Sequence, residues 1–134
     1  MAKNYKIFVS HSWANSADLI NLRQLLDSRG YFNVEFKEVD RFVPINSFNA
    51  DYIKRRLKMK IEESDIVIGL AGIYASHSDW MTWELDTAQR CGIPIIGVIP
   101  RGNIRSSTMV TSRSRVDVRW STESIVSAIR TYAK

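Results

Sequence analysis

Apolar residues recur along this chain in two rhythms. Short runs of four to six stand at Lys6–Ser10, Ile66–Leu70, Pro94–Ile99 and Val116–Trp120, and Val34–Val39 alternates apolar with charged. Runs of that length read as strands, the unbroken ones as buried strands and the alternating one as a strand near a sheet edge. Between them the spacing changes to three and four. Leu19, Leu22, Leu25 and Leu26 mark one helix, and Ile53, Leu57 and Ile61 a second. Met81, Leu85 and Ala88 mark a third, and Ile125, Ala128, Ile129 and Tyr132 a fourth. Such spacing places side chains on one helical stripe. End signals agree: Asn15 or Ser16 and Ser121 stand where N-caps belong, and Gly30 and Gly92 where helices stop. The first two helices are expected to run to about Arg29 and from about Asn49 to Glu63. Residues 100–114 are polar and predict an irregular excursion.

Strand and helix therefore alternate five times. That order predicts an α/β fold with a parallel sheet covered on both faces. A five-stranded, doubly wound, flavodoxin-like sheet of order 2-1-3-4-5 is the most economical arrangement. No repeat or linker interrupts the pattern, so residues 1–134 read as a single domain. Ligands of such sheets bind beyond the carboxyl ends of the strands, where strand order reverses. Here that rim comprises Ser10, His11 and Ser12 after the first strand, Asp40 and Arg41 after the second, and the segment from Gly72 to Trp80 after the third.

Composition narrows the picture. The chain is 45% hydrophobic and 25% charged, as in ordinary globular proteins. One cysteine, Cys91, rules out an internal disulfide, and with only His11 and His77 beside it no metal site is expected. No apolar run has membrane-spanning length and no signal-peptide core opens the chain, so a cytoplasmic protein without a membrane partner is expected. The net charge is +5. Its cations concentrate at Lys54, Arg55, Arg56, Lys58 and Lys60, and at Arg101, Arg105, Arg113 and Arg115. Without a zinc knuckle or aromatic RNA-binding signature, these read as solvated surfaces and not as a nucleic-acid footprint.

The stretch Ser78-Asp-Trp-Met-Thr-Trp-Glu-Leu85 carries the most chemistry. Trp80 and Glu84 lie four residues apart and share a helical face. An indole plate beside a carboxylate suits a flat cationic ring and a sugar on which positive charge develops. On spacing alone, Glu84 borders the core stripe and reads as a surface carboxylate paired with a lysine or arginine. Trp80 and Trp83 are both candidates for touching substrate, and one of the two reads as a packing residue.

Several segments together resemble a TIR domain, and more closely the bacterial and archaeal TIR-like family that includes the signalling component of Thoeris antiphage systems. Lys6-Ile-Phe-Val-Ser-His-Ser-Trp13 is similar to the family's first-strand box. Ile61–Leu70 is similar to the segment entering its third strand, and Ser78–Ala88 to its Ser-x-Trp-x-x-x-Glu-Leu pattern. Pro94–Pro100 and Val118-Arg-Trp120 with the closing helix also fit. The resemblance implies cleavage of the nicotinamide–ribose bond of NAD+, with NAD+ as substrate and no cofactor. It implies an ADP-ribose-type product, linear, cyclised or conjugated, read by a separate effector protein. It places the catalytic carboxylate on Glu84 and the preceding aromatic on Trp80, and so reverses the surface reading of Glu84. Homotypic self-association is implied as well, since the loop after the second strand contacts a neighbouring subunit in the family. An isolated domain that is weakly active until it assembles is the corresponding expectation.

The chemistry matches the residue types. Nicotinamide leaves NAD+ as a neutral molecule, so no general acid is required, unlike glycoside hydrolysis with its two carboxylates. One carboxylate can bind the ribose hydroxyls and stabilise an oxocarbenium-like transition state. An aromatic face adds about 0.5–2 kcal/mol toward the cationic ring. Ser10, His11 and Ser12 are candidate substrate contacts ahead of a helix N-terminus, where N–H groups favour phosphate; Asp40, Arg41 and Trp83 complete the set. The alternative is a non-catalytic TIR-like interaction module. A phosphoacceptor receiver would need acidic residues where Ser10-His11 and Gly69-Leu70 stand. A flavodoxin would need glycine in the hydroxyl-rich segment 10–16.

Overall fold

The computed structural model describes residues 4–11, 16–37, 48, 50–71, 79–100 and 107–134, side chains of 16–18 excepted. The elements run β1 (Asn4–Ser10), α1 (Ser16–Asp27), β2 (Asn33–Lys37), α2 (Ala50–Glu63), β3 (Ile66–Leu70), α3 (Asp79–Arg90), β4 (Ile95–Val98), α4 (Thr108–Thr111), β5 (Val116–Val118) and α5 (Thr122–Tyr132). All five strands are parallel, in the order β2-β1-β3-β4-β5. The anticipated fold class and strand order are both found. Because the chain goes from β1 outward to β2 and then returns to β3 on the other side, strand order reverses between β1 and β3.

Strand alternation builds two cores. Phe8, Val67 and Ile95 point to one face, where Ile53, Leu57 and Ile61 of α2 and Met81, Leu85 and Ala88 of α3 cover them. Ile7, Val9, Ile66, Ile68, Leu70, Ile96 and Val98 point to the other, under Leu22 and Leu26 of α1 and Ile125, Val126, Ala128 and Ile129 of α5. β3 and β4 are buried along their whole length, which is why their sequences are continuously apolar. β2 is a half-buried edge strand, and its charged residues find work there: Lys37 pairs with Glu35 at 3.1 Å and reaches Glu63 of α2 at 3.5 Å.

Several local readings need correction. Gly92 does close α3: its φ is +73°, its N–H donates to Gln89 O at 3.1 Å, and Ile93 N–H donates to Ala88 O at 2.9 Å. That is the paired bond pattern of a Schellman ending. After α1, by contrast, the left-handed position falls on Tyr31 (φ 60°) and not on Gly30, and α1 ends at Asp27. Ser121 stands at the N-cap of α5, but its side chain makes no capping bond. Tyr132 is 37% exposed, and Val126 takes its place in the core. The segment after β4 contains a one-turn helix, α4, which the polar sequence did not predict.

α4 reaches the sheet because two strand positions lack side chains. A Cβ at Gly69 would lie 2.9 Å from Val110 Cγ1 and 3.6 Å from Leu85 Cδ1; one at Gly97 would lie 3.4 Å from Val110 Cγ1 and would collide with the Asp117 carboxylate. Gly69→Ala is therefore expected to destabilise by about 1–3 kcal/mol through overpacking. Gly30→Ala, at a position with open space, should change stability by less than about 1 kcal/mol. Urea unfolding of both variants checks the contrast.

The end of α1 is tied to α5 by a two-pronged ion pair. Arg29 Nε donates to Glu123 Oε2 and Arg29 Nη2 to Glu123 Oε1, both at 3.0 Å. These hydrogen bonds, with the charge of the guanidinium, hold the Glu123 carboxyl below its ordinary value of 4.5. A carboxyl lowered by folding contributes stability above its unfolded value and loses that contribution as pH falls through the folded one. The pair is solvent-screened, so the effect is small. Arg29→Ala should lower Tm at neutral pH, and the gap to wild type should close below the ordinary glutamate range; thermal melts across pH check this.

Candidate active site

Ser10 is the last residue of β1 and lies beside Gly69 of β3 in the parallel register. Two positions after Phe8, its side chain points to the α2/α3 face. α3 descends over that face, and Glu84 is one residue before Leu85, which lies above Gly69. The two polar side chains meet there. Ser10 Oγ donates to Glu84 Oε1 at 2.6 Å, with Ser10 at 0% and Glu84 at 1% exposure. This is the length of a hydroxyl donating to a carboxylate. A carboxylate withdrawn from water is costly unless it is hydrogen-bonded, and Ser10 meets part of that need.

Glu84 is thus not a surface carboxylate paired with a lysine or arginine, as spacing alone suggests. It stands inside the molecule, at the carboxyl end of β1, next to the point where strand order reverses. Trp80, one turn earlier, is 6% exposed and belongs to the α2/α3 core. Trp83 is half-buried against the same core. The two indoles meet edge to face, centroids 6.2 Å apart at 82°, a favourable aromatic geometry. Trp80 is the packing member of the pair and Trp83 the more open one. His11 is half-buried immediately beyond β1. Ser12, Asp40 and Arg41 lie outside the described residues.

One polar group of this rim had no signal in the sequence. Ser107 N–H donates to Ala71 O, just past β3, at 3.1 Å. The residue is 5% exposed, and among the described residues its Oγ has no hydrogen-bond partner. Only the placement of α4 on the sheet brings it there. Among the described residues no group of three His, Cys, Asp or Glu side chains could hold a metal ion. The cations divide. Arg113 Nε donates to Asp86 Oδ1 at 2.7 Å. Arg55, Arg56 and Lys58 are exposed on α2, where Arg56 lies over the Tyr52 ring at 5.8 Å. Arg101 and Arg105 lie outside the described residues. No described helix is long and apolar enough to cross a membrane.

The hydrogen bond between β1 and α3 predicts energetic coupling. Ser10→Ala leaves a buried carboxylate short of a donor and should cost about 1–3 kcal/mol. A double-mutant cycle with Glu84→Gln, read by urea unfolding, should give a coupling energy above about 1 kcal/mol.

Comparison with known proteins bears on this geometry. The family model for the Thoeris protein ThsB, TIR-like domain, matches residues 8–105, a span that contains Ser10, Trp80 and Glu84 and stops before β5. No curated protein matches the sequence. Among solved structures, a 2-deoxyribosyltransferase from Bacillus psychrosaccharolyticus is similar with a TM-score of 0.60 and 21% identity, over 90% of this chain and 89% of that one. A CMP N-glycosidase from Clostridium botulinum is similar with a TM-score of 0.55 and 15% identity, over 93% and 98%. A conserved protein from Enterococcus faecalis V583 is similar with a TM-score of 0.55 and 13% identity, over 96% and 99%. At these identities the solved structures speak to the fold, and the family match speaks to descent: with the greater part of its length covered, the chain belongs to the Thoeris ThsB TIR-like domain family.

Proposed function

We propose that this chain cleaves the bond between nicotinamide and ribose in NAD+ and converts the remainder into an ADP-ribose-type signalling molecule, read by a separate effector protein in antiphage defence. The observation that carries the proposal is the carboxylate of Glu84, buried at the carboxyl rim of β1 and β3 and held by Ser10. Family membership supports it. Two of the solved structures of similar fold, an N-glycosidase and a deoxyribosyltransferase, act on nucleosides or nucleotides, which is compatible with glycosidic chemistry at such a rim.

The chemistry follows from charge. As the C–N bond of NAD+ breaks, the pyridinium becomes neutral nicotinamide and positive charge moves to the ribose. A fixed carboxylate beside the sugar stabilises that charge, and a dry surround strengthens the interaction. Trp83, the more open of the two indoles, would border the nicotinamide, with Trp80 packed behind it. At 1% exposure, Glu84 meets a sugar only after the residues covering it move, so turnover is coupled to a rearrangement. Self-association of the domain, through the segment after β2, is the trigger proposed here.

A second reading has one observation in its favour. A carboxylate this buried and hydrogen-bonded also suits a structural role in a non-catalytic interaction module. Turnover separates the two. Purified protein at high concentration is incubated with NAD+, and nicotinamide and nucleotide products are followed by mass spectrometry, with CMP and deoxyribonucleosides as competing substrates. Nicotinamide release is expected, with specific activity rising with protein concentration. Glu84→Gln should reduce it by at least about 100-fold while the variant stays folded. Cleavage of CMP but not NAD+, or full activity in the Gln variant, would sink the proposal.

A further inference from the structure

The structure assigns Ser10 a role that its place in the sequence did not suggest: we propose that it is a positioning residue for Glu84 and not a contact to substrate. This rests on the glycosidic reading of Glu84. Ser10 and Glu84 are buried together, and the serine hydroxyl faces the carboxylate. A serine hydroxyl has one proton to donate, and that proton is committed to Glu84 Oε1 at 2.6 Å. Ser10 therefore acts through the carboxylate.

Geometry makes the hold a firm one. Ser10 is the last residue of an interior strand: it pairs with Gly69 of β3 on one side, and β1 pairs with β2 on the other as far as Phe8. Its neighbour across the ladder is Gly69, and Leu85, the residue after Glu84, packs at ordinary contact distance over that position. A rigid strand thus sets the rotamer of a helix side chain seventy-four residues away in sequence. Two consequences follow. The carboxylate is oriented before substrate arrives, which lowers the reorganisation needed in the transition state. The donated hydrogen bond also favours the charged form of the carboxyl group, the form that stabilises a sugar cation.

The test compares wild type with Ser10→Ala and Ser10→Thr, which keeps the hydroxyl; Ser10→Cys, a near-isostere with a weak donor, replaces the Ala variant if that one does not fold. Loss of a hydrogen bond to a charged group corresponds to about 10–100-fold in rate. The expected result is a fall of that size in kcat for Ala, KM within about threefold of wild type, and substantial recovery in Thr. The acid limb of the pH–rate profile should move to higher pH in the Ala variant, a change that mere loosening of the fold would not cause. The same movement should appear, without turnover, when the side-chain carboxyl of carbon-13-labelled glutamate is titrated by NMR, with Glu84→Gln giving the assignment. Unchanged kcat, a loss confined to KM, a more active Ala variant or an unmoved carboxyl titration would overturn the assignment. Were wild type to release no nicotinamide, the NAD+ reading would fail on its own, and the titration would still decide whether Ser10 governs Glu84.

Discussion

A carboxylate inside a parallel sheet protein is the constraint around which this structure is arranged. Taking an isolated carboxylate out of water costs several kcal/mol even after relaxation. Part of what lets the fold tolerate Glu84 is the hydroxyl that the end of β1 offers at 2.6 Å. That offer depends on position. Ser10 must fall on the α2/α3 face, which the alternation set by Ile7, Phe8 and Val9 guarantees. A slip of one residue would turn Ser10 to the α1/α5 face and take its hydroxyl away from the carboxylate.

The apolar cores serve this placement. On the α2/α3 face, Ile53, Leu57 and Ile61 anchor one helix, and Met81, Leu85 and Ala88 anchor the next. Leu85 sits above Gly69, so the residue before it is delivered to the strand end. Gly97 does the same service one strand over, where Val110 of α4 settles beside it. Glycine in a strand interior weakens the strand, and its use marks close approach of another element. Two glycines in adjacent central strands, paired in register as Gly69 and Gly97, open a shallow trough under α3 and α4.

Much of this was legible in the sequence, for a physical reason. Strands buried on both faces, such as Ile66–Leu70, must be continuously apolar, and helices covering them must carry three- and four-residue spacing. Those constraints fix element type and, with right-handed crossovers, strand order. What escaped notice depends on tertiary contact. Helical projection left Glu84 at the border of a stripe, and only the arrival of Ser10 from another element draws it inside. Four residues cannot show a period, so α4 and the hydroxyl of Ser107 were invisible. Gly30 looked like a helix terminator, but the clasp of Arg29 on Glu123 and the bond from Arg130 Nη2 to Tyr31 O at 3.2 Å accompany a turn whose left-handed residue is Tyr31.

The burial of Glu84 and the chemistry proposed for it have one physical root. The dry surround that makes a lone carboxylate expensive also makes its field strong, because the interaction with a developing cation grows as the local dielectric falls. A carboxylate in open water would be easy to keep and of little use to a sugar cation. One in a closed core would be strong and out of reach. Glu84 stands at the carboxyl end of the sheet, where the pairing of β1 with β3 ends, so the rigid part of the molecule holds the carboxylate in place. On the function proposed above, a single carboxylate would suffice because of the leaving group: nicotinamide would depart neutral, the charge to manage would be on the sugar, and a buried anion held by a strand hydroxyl would face it.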